Sequence, residues 1–220
     1  MLQLIAFLGN PGPEYARNRH NAGRLLAEGL PFYSALGWQK KYRGLYAGLD
    51  SSRLPAFAAV PENPACPAPP VPLSKIHFLM PETFMNLSGE SVSAAASFFK
   101  IEPEQILVVH DELELPLGTL SLKFSGGLGG HNGLRSIKAC LGTAGFWRLR
   151  IGIGRPDDRA PGQGGPPGSG RGVFDWVLSD FSPAETERLA PVLEICAGLL
   201  LRALSYGPEG LLPEWGKKSL

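Results

Sequence analysis

"QILVVHDELELPLG", Gln105 to Gly118, is the stretch on which the architecture turns. Ile106 to Val109 is apolar at every position rather than at alternate ones, and turn signals bound it. Such a run predicts a strand covered on both faces, as in the parallel sheet of an α/β domain. Its carboxyl end delivers His110, Asp111 and Glu112. In an open α/β sheet that end is where the functional crevice lies.

Working outward, Leu2 to Leu8 reads as a second strand, halted by the turn cluster Gly9-Asn10-Pro11-Gly12. Ala22, Leu25, Leu26 and Leu30 then follow helical spacing. Further strands are expected over Tyr42–Leu49, Leu54–Val60, Ile76–Met80, Thr119–Phe124 and "FWRLRIGIG" (146–154). Ser88 is placed to cap a helix whose apolar face is Val92, Ala95, Ala96 and Phe99. A helix with Leu134, Ile137, Lys138 and Leu141 on one side stops at Gly142, and Pro183 to Leu204 forms a closing amphipathic helix. Strands alternating with helices predict one α/β domain over residues 1–220, a sheet with helices on both faces. Two segments, the proline-rich 61–72 and the Gly/Pro-rich 157–172, read as flexible insertions.

Composition sets outer bounds. A chain of 220 residues with 44% hydrophobic content is expected to build one core. No apolar run approaches the roughly 20 residues that span a bilayer, so no membrane association is expected. The start reads as a strand and not as a signal peptide. Three scattered cysteines (Cys66, Cys140, Cys196) argue for a reducing, cytoplasmic setting and against a thiolate metal site. A net charge of +1 predicts no partner, yet its distribution is uneven. Leu115 to Pro156 contains no Asp or Glu, while Lys123, Arg135, Lys138, Arg148, Arg150 and Arg155 fall inside it. That pattern fits a phosphate-binding face, or equally a solvated surface whose acids lie elsewhere.

Four polar clusters directly follow predicted strands: Asn10 with His20 behind it, "MPETFMNLSGES" (80–91), Asp111, and "GGLGGHNG" (126–133). His20 has the side-chain type whose ordinary pKa suits a general base at neutral pH. Asp111 could hold that imidazole in one tautomer and stabilise its charged form. No GxSxG elbow supplies a nucleophile, so the partner left for a His–Asp pair is water. Asn10, Asn86 and Asn132 offer amide groups to fix a water, a carbonyl or a ribose hydroxyl. Tyr15, Phe84 and Met85 either belong to the core or line a cleft. Taken singly, each residue has a plainer role, His20 as a helix-start hydrogen-bonding group and Asn10 as a turn former. The glycine-rich loop lacks both the Walker Lys-Ser/Thr and the dinucleotide GxGxxG spacing. His20, His110, Asp111, Glu112 and His131 are all metal-ligand types but occur at no standard ligand spacing, so no metal is expected.

Six stretches in order, "FLGNPGPEYARNRHNAG", "MPETFMNLSGESV", "VVHDELELPLG", "SGGLGGHNGLRSI", "FWRLRIGIGRP" and "VFDWVLSDFS", resemble the bacterial-type peptidyl-tRNA hydrolase family over most of the chain. The resemblance implies a monomeric α/β globule around a twisted, mixed sheet of the phosphorylase/hydrolase-like kind. It implies cofactor-free hydrolysis of the ester joining a peptide to the 3′-terminal ribose of tRNA, with peptidyl-tRNA and not DNA as partner. By position, His20 matches the catalytic histidine and Asp111 its orienting aspartate. Asn10, Asn86, Asn132 and His131 match substrate-positioning residues. Lys123 and Arg150 match a basic pair that clamps the 5′-phosphate of tRNA. Phe7 departs from the glycine common in the family, which implies different packing at the first turn. A hydrolase-like fold kept as an RNA binder without catalysis is the competing reading, disfavoured by the complete set of polar residues.

Overall fold

The computed structural model describes residues 1–56, 75–156, 170–216 and 218–219. The predicted insertion 61–72 lies outside the described residues, as do 157–169 of the second; residues 170–172 open a helix.

Among the described residues eight strands form one mixed sheet: β1 (Leu4–Phe7), β2 (Gln39–Lys41), β3 (Gly44–Asp50), β4 (Lys75–Pro81), β5 (Ile106–Glu112), β6 (Thr119–Phe124), β7 (Trp147–Gly152) and β8 (Lys218–Ser219). Their order across the sheet is β2-β3-β4-β1-β5-β7-β6-β8. β1 runs parallel to both β4 and β5, and β5 parallel to β7. β3 pairs antiparallel with β4, and β6 with β7. The chain leaves β1 for one side of the sheet and returns at β5 on the other. A crevice therefore opens at the carboxyl ends of β1, β4 and β5, where the connections diverge.

The central strands are apolar along their length because helices cover both faces. β1 is buried at all four positions and β5 at all seven. On one face Phe7, Phe78, Val109 and Leu149 pack against Leu26 of α1 (Ala22–Glu28) and Cys196 and Leu200 of α5 (Pro183–Tyr206). On the other, Leu4, Ala6, Leu79 and Val108 meet Val92 and Ala95 of α2 (Ser88–Phe99) and Leu134 and Ile137 of α3 (Asn132–Leu141). Phe7 is fully buried and stacks on Phe78 with ring centroids 6.5 Å apart. The chain closes with α4 (Gly170–Val177) before α5, and α6 (Leu212–Trp215) after it.

One close approach decides where the amino-terminal segment sits. A Cβ on Gly23 would stand 2.6 Å from the Val109 carbonyl oxygen and 2.7 Å from that of Leu8. Only glycine lets α1 lie directly on the ends of β1 and β5. The short 3₁₀ turn Arg19–Asn21 immediately before α1 is thereby brought onto the strand carrying Asp111.

Three expectations are corrected. Residues 54–56 of the expected strand Leu54–Val60 belong to a 3₁₀ segment, Ser51–Ala56, and 57–60 lie outside the described residues. Ser88 is the first residue of α2 and not its cap; its hydroxyl donates to the Met85 carbonyl at 2.8 Å. By length and composition α5 could cross a bilayer, with a mean hydropathy of 1.5 over its most apolar 18 residues. Its apolar stripe from Leu189 to Leu204 is instead spent on the core, which is why the helix is long and apolar.

Candidate active site

The cleft at the carboxyl ends of β1, β4 and β5 has a volume of about 720 Å³. Nine of the residues singled out from sequence line it: Asn10, Tyr15, His20, Phe84, Met85, Asn86, Asp111, His131 and Asn132. They come from four separate segments, assembled by the strand order.

His20 is buried, and its Nδ1 lies 2.9 and 3.0 Å from the two carboxylate oxygens of Asp111. The second ring on Asp111 is His131, whose Nε2 sits 3.0 Å from Oδ1. His131 is also the cap of α3: its Nδ1 accepts from the backbone N–H groups of Gly133 (3.1 Å) and Leu134 (3.4 Å). An imidazole nitrogen that accepts carries no hydrogen, so in neutral His131 the hydrogen is on Nε2, which donates to Asp111. Asp111 thus receives two N–H donors. Its carboxylate leaves His20 with hydrogen on Nδ1 and a bare lone pair on Nε2.

Electrostatics reinforces this arrangement. Burial raises the cost of a charged Asp111, but His20 and His131 outweigh it and hold the carboxyl far below the usual carboxylate range. Burial likewise opposes a charged His20, while the charge and hydrogen bond of Asp111 outweigh that and raise its pKa above 6.5. His110 donates from Nδ1 to the Asp111 carbonyl at 2.6 Å; complete burial, with the nearby His131, drives its pKa well down.

Asn10 is fixed by its neighbours. Its backbone N–H donates to the Asn21 side-chain oxygen (2.8 Å), and its carbonyl accepts from the Asn21 amide (3.0 Å). Its own Oδ1 accepts from the Met85 N–H at 2.7 Å. What Asn10 can offer a ligand is therefore its Nδ2 donor. Asn21 escaped the sequence reading. An Asn beside the candidate base, able to donate and accept at once, was the available signal. The apolar walls of the cleft are Phe84 and Met85 on one side and Val173, Phe174, Val177 and Leu178 on the other. Phe84 and Phe174 are 56% and 61% exposed, too open for core residues.

Of the five metal-ligand types, three gather: atoms of His20, Asp111 and His131 lie within 4.8 Å of one another. The hydrogen-bond pattern does not suit a cation there. The His131 and His20 nitrogens that face Asp111 carry hydrogens, and the other His131 nitrogen is committed to α3. Glu112 is taken by Arg150, at 2.9 Å.

Lys123 and Arg150 lie outside the cleft lining, on the face of β6 and β7 shared by Ser121 and Arg148. Lys123 is exposed and pairs in register with Arg148. Arg150 also reaches the Ser121 hydroxyl at 3.3 Å. Arg148 is fully buried; its Nη1 donates to the Gly127 carbonyl (2.7 Å), while Nε and Nη2 have no partner among the described residues. A Cβ on Gly126 would stand 3.3 Å from both Arg148 Nη2 and Lys123 Nζ, so these two cations converge beneath the glycine-rich loop.

With this geometry in place, comparison with known proteins is direct. The family model "Peptidyl-tRNA hydrolase" matches residues 4–217. The chain is 44% identical to a peptidyl-tRNA hydrolase of Treponema pallidum (strain Nichols), over 100% of this chain and 96% of that one. It is 44% identical to a second, of Marinobacter nauticus, over 87% and 83%. A crystal structure of peptidyl-tRNA hydrolase from Acinetobacter baumannii superposes with a TM-score of 0.71 at 32% identity, covering 97% of this chain and 91% of that one.

Proposed function

Because the chain belongs to the bacterial-type peptidyl-tRNA hydrolase family of ester hydrolases, we propose that His20 is the general base of its reaction and water the nucleophile. The observation carrying this reading is the pairing of His20 Nδ1 with Asp111, which leaves Nε2 as an unprotonated acceptor. A water held by Nε2 attacks the carbonyl of the ester between the peptide and the 3′-terminal ribose. Its proton passes to Nε2 as the new C–O bond forms, and Asp111 stabilises the resulting imidazolium. Collapse of the tetrahedral intermediate breaks the bond to the ribose oxygen, which takes the proton back from His20. The products are a free peptide carboxylate and tRNA with a free 3′-hydroxyl. No covalent acyl-enzyme forms.

Asn10 Nδ2, Asn86 and Asn132 supply donors for the ester carbonyl and the developing oxyanion. His131 keeps its partner Asp111 oriented while capping α3, the helix that begins with Asn132. The peptide lies beside Tyr15, Phe84 and Met85 and is held largely through its backbone, since its sequence varies, with apolar side chains that meet the α4 wall adding to it. Lys123 and Arg150 meet the 5′-phosphate. The phosphate competes with Glu112 for Arg150 and adds a partner to a face that also carries Lys123 and Arg148. The chain acts as a cytoplasmic monomer that recycles tRNA from stalled or aborted translation, without a cofactor.

Turnover of N-acetyl-aminoacyl-tRNA by the purified protein tests the reading. Release of the acyl group, undiminished by EDTA, is expected. Tight tRNA binding without release would favour the RNA-binding alternative, and loss of activity in EDTA would refute the water–histidine mechanism.

A further inference from the structure

We propose that Arg19 is a positioning residue that sets the distance between His20 and the apolar wall of α4, and through it the selectivity for the peptide portion of the substrate. The proposal rests on the hydrolase reading above and concerns the same cleft.

Arg19 is buried, with its guanidinium carbon 3.8 Å from the centre of the Trp176 ring and 5.2 Å from that of Phe181. Nη1 donates to the Ser179 hydroxyl at 2.8 Å and to the Ser179 and Asp180 carbonyls. Nη2 pairs with Glu185 at 2.6 Å. Its backbone N–H also donates to the Ser179 carbonyl at 3.0 Å, and Asn18 bridges to Asp180. Every one of these contacts falls between Trp176 and Glu185, and the next residue in the chain is His20.

The far side of the connection is equally fixed. Trp176 donates its indole N–H to the Gly154 carbonyl at 2.8 Å, just beyond β7, so the ring under Arg19 is tied to the sheet. Glu185 is held by the capping box of α5, accepting from the Ser182 N–H at 2.8 Å. Val173, Phe174, Val177 and Leu178 form the cleft wall on and just after α4. Arg19 therefore joins the turn bearing the base to the segment bearing the wall. If packing alone were required, an apolar side chain would fill this place without desolvating a charge. A guanidinium, planar and able to stack while donating in several fixed directions, specifies an orientation instead.

The test compares kcat/KM for two substrates: an apolar tetrapeptidyl-tRNA that reaches the wall, and N-acetylglycyl-tRNA, which does not. Arg19→Met is expected to lower the ratio of the two roughly tenfold, the scale on which an apolar pocket discriminates. Phe174→Ala should lower it similarly, and the double variant should lose little more than either single one. Should Arg19→Met fail to fold, Arg19→Lys retains a cation for Glu185 without a plane to stack, and a smaller fall in the ratio is expected. An unchanged ratio, with both substrates slowed equally, overturns the proposal in either variant. Failure of the unaltered protein to turn over either substrate would refute the hydrolase reading itself.

Discussion

The His20 cluster and the basic face of β6 and β7 lie close together on one sheet and treat charge in opposite ways. Around His20 the groups that orient the imidazole are already partnered: Asp111 by two imidazoles, and His131 by Asp111 and α3. On β6 and β7, Arg150 pairs with Glu112, whereas Lys123 has no ion-pair partner and two nitrogens of buried Arg148 have no hydrogen-bond partner among the described residues. On the proposed reading, groups that must hold a proton at one atom are internally partnered, which limits reorganisation during reaction. Groups meant for an anion from outside are left short of negative charge. On the same reading, the difference separates chemistry from binding.

Removing the base is the sharpest way to break that contrast. His20→Ala is expected to lower kcat by roughly 10³-fold or more while tRNA affinity is retained; a comparable loss of affinity would mean the two regions are not separate. Asp111→Asn should lower kcat by roughly 10²-fold or more, because an amide cannot impose the same tautomer. The same variant carries a signed pH test. In the unaltered protein, kcat/KM should fall as pH drops through a value above 6.5, since Asp111 raises the His20 pKa against burial. Without Asp111, burial alone remains and the acidic limb of the residual activity should move down. A limb that stays in place would deny His20 the role of base.

Lys123→Ala tests the other region. KM is expected to rise several-fold, on the order of one lost phosphate contact, and the slope of log affinity against log salt to flatten by about 0.7–0.9. Unaltered kcat would keep the regions distinct. Outside both lies a smaller probe. Tyr46 shares a hydrogen bond with His77 Nδ1 at 2.8 Å, and burial, with nearby Lys75, depresses the His77 pKa to about 4. Tyr46→Phe should cost about 1 kcal/mol of stability, read by denaturant unfolding, and leave turnover unchanged.

Much of this was legible in the chain. The continuous apolar runs of β1 and β5, the turn after β1 and the glycine stop of α3 are local signals, and the strands and helices follow them. Polar clusters behind successive strands marked the cleft because strand ends in an α/β sheet share one side. The strand expected at Leu54 fails over 54–56, where short-range pattern does not separate extended chain from 3₁₀ turn. α4 escaped because a Gly/Pro-rich stretch runs directly into it. Arg19 read as part of a polar turn, since nothing near it in sequence announces Trp176 or Glu185.

What the residues by themselves determined is the kind of sheet, the side on which a site would form and the chemical types assembled there. Apolar periodicity and turn chemistry act over a few residues, and that is enough for these features. The sequence anticipated His20 with Asp111, 91 positions away, but only the tertiary structure decided the other pairings: Arg19 with Glu185, 166 away, and Glu112 with Arg150, 38 away. It also decided which nitrogen of His131 carries hydrogen, through the capping of α3. Such pairs depend on strand order, register and the close seat of Gly23 on two strands. Those are settled only when the sheet closes its core, because hydrogen bonds reward proximity that no local pattern encodes.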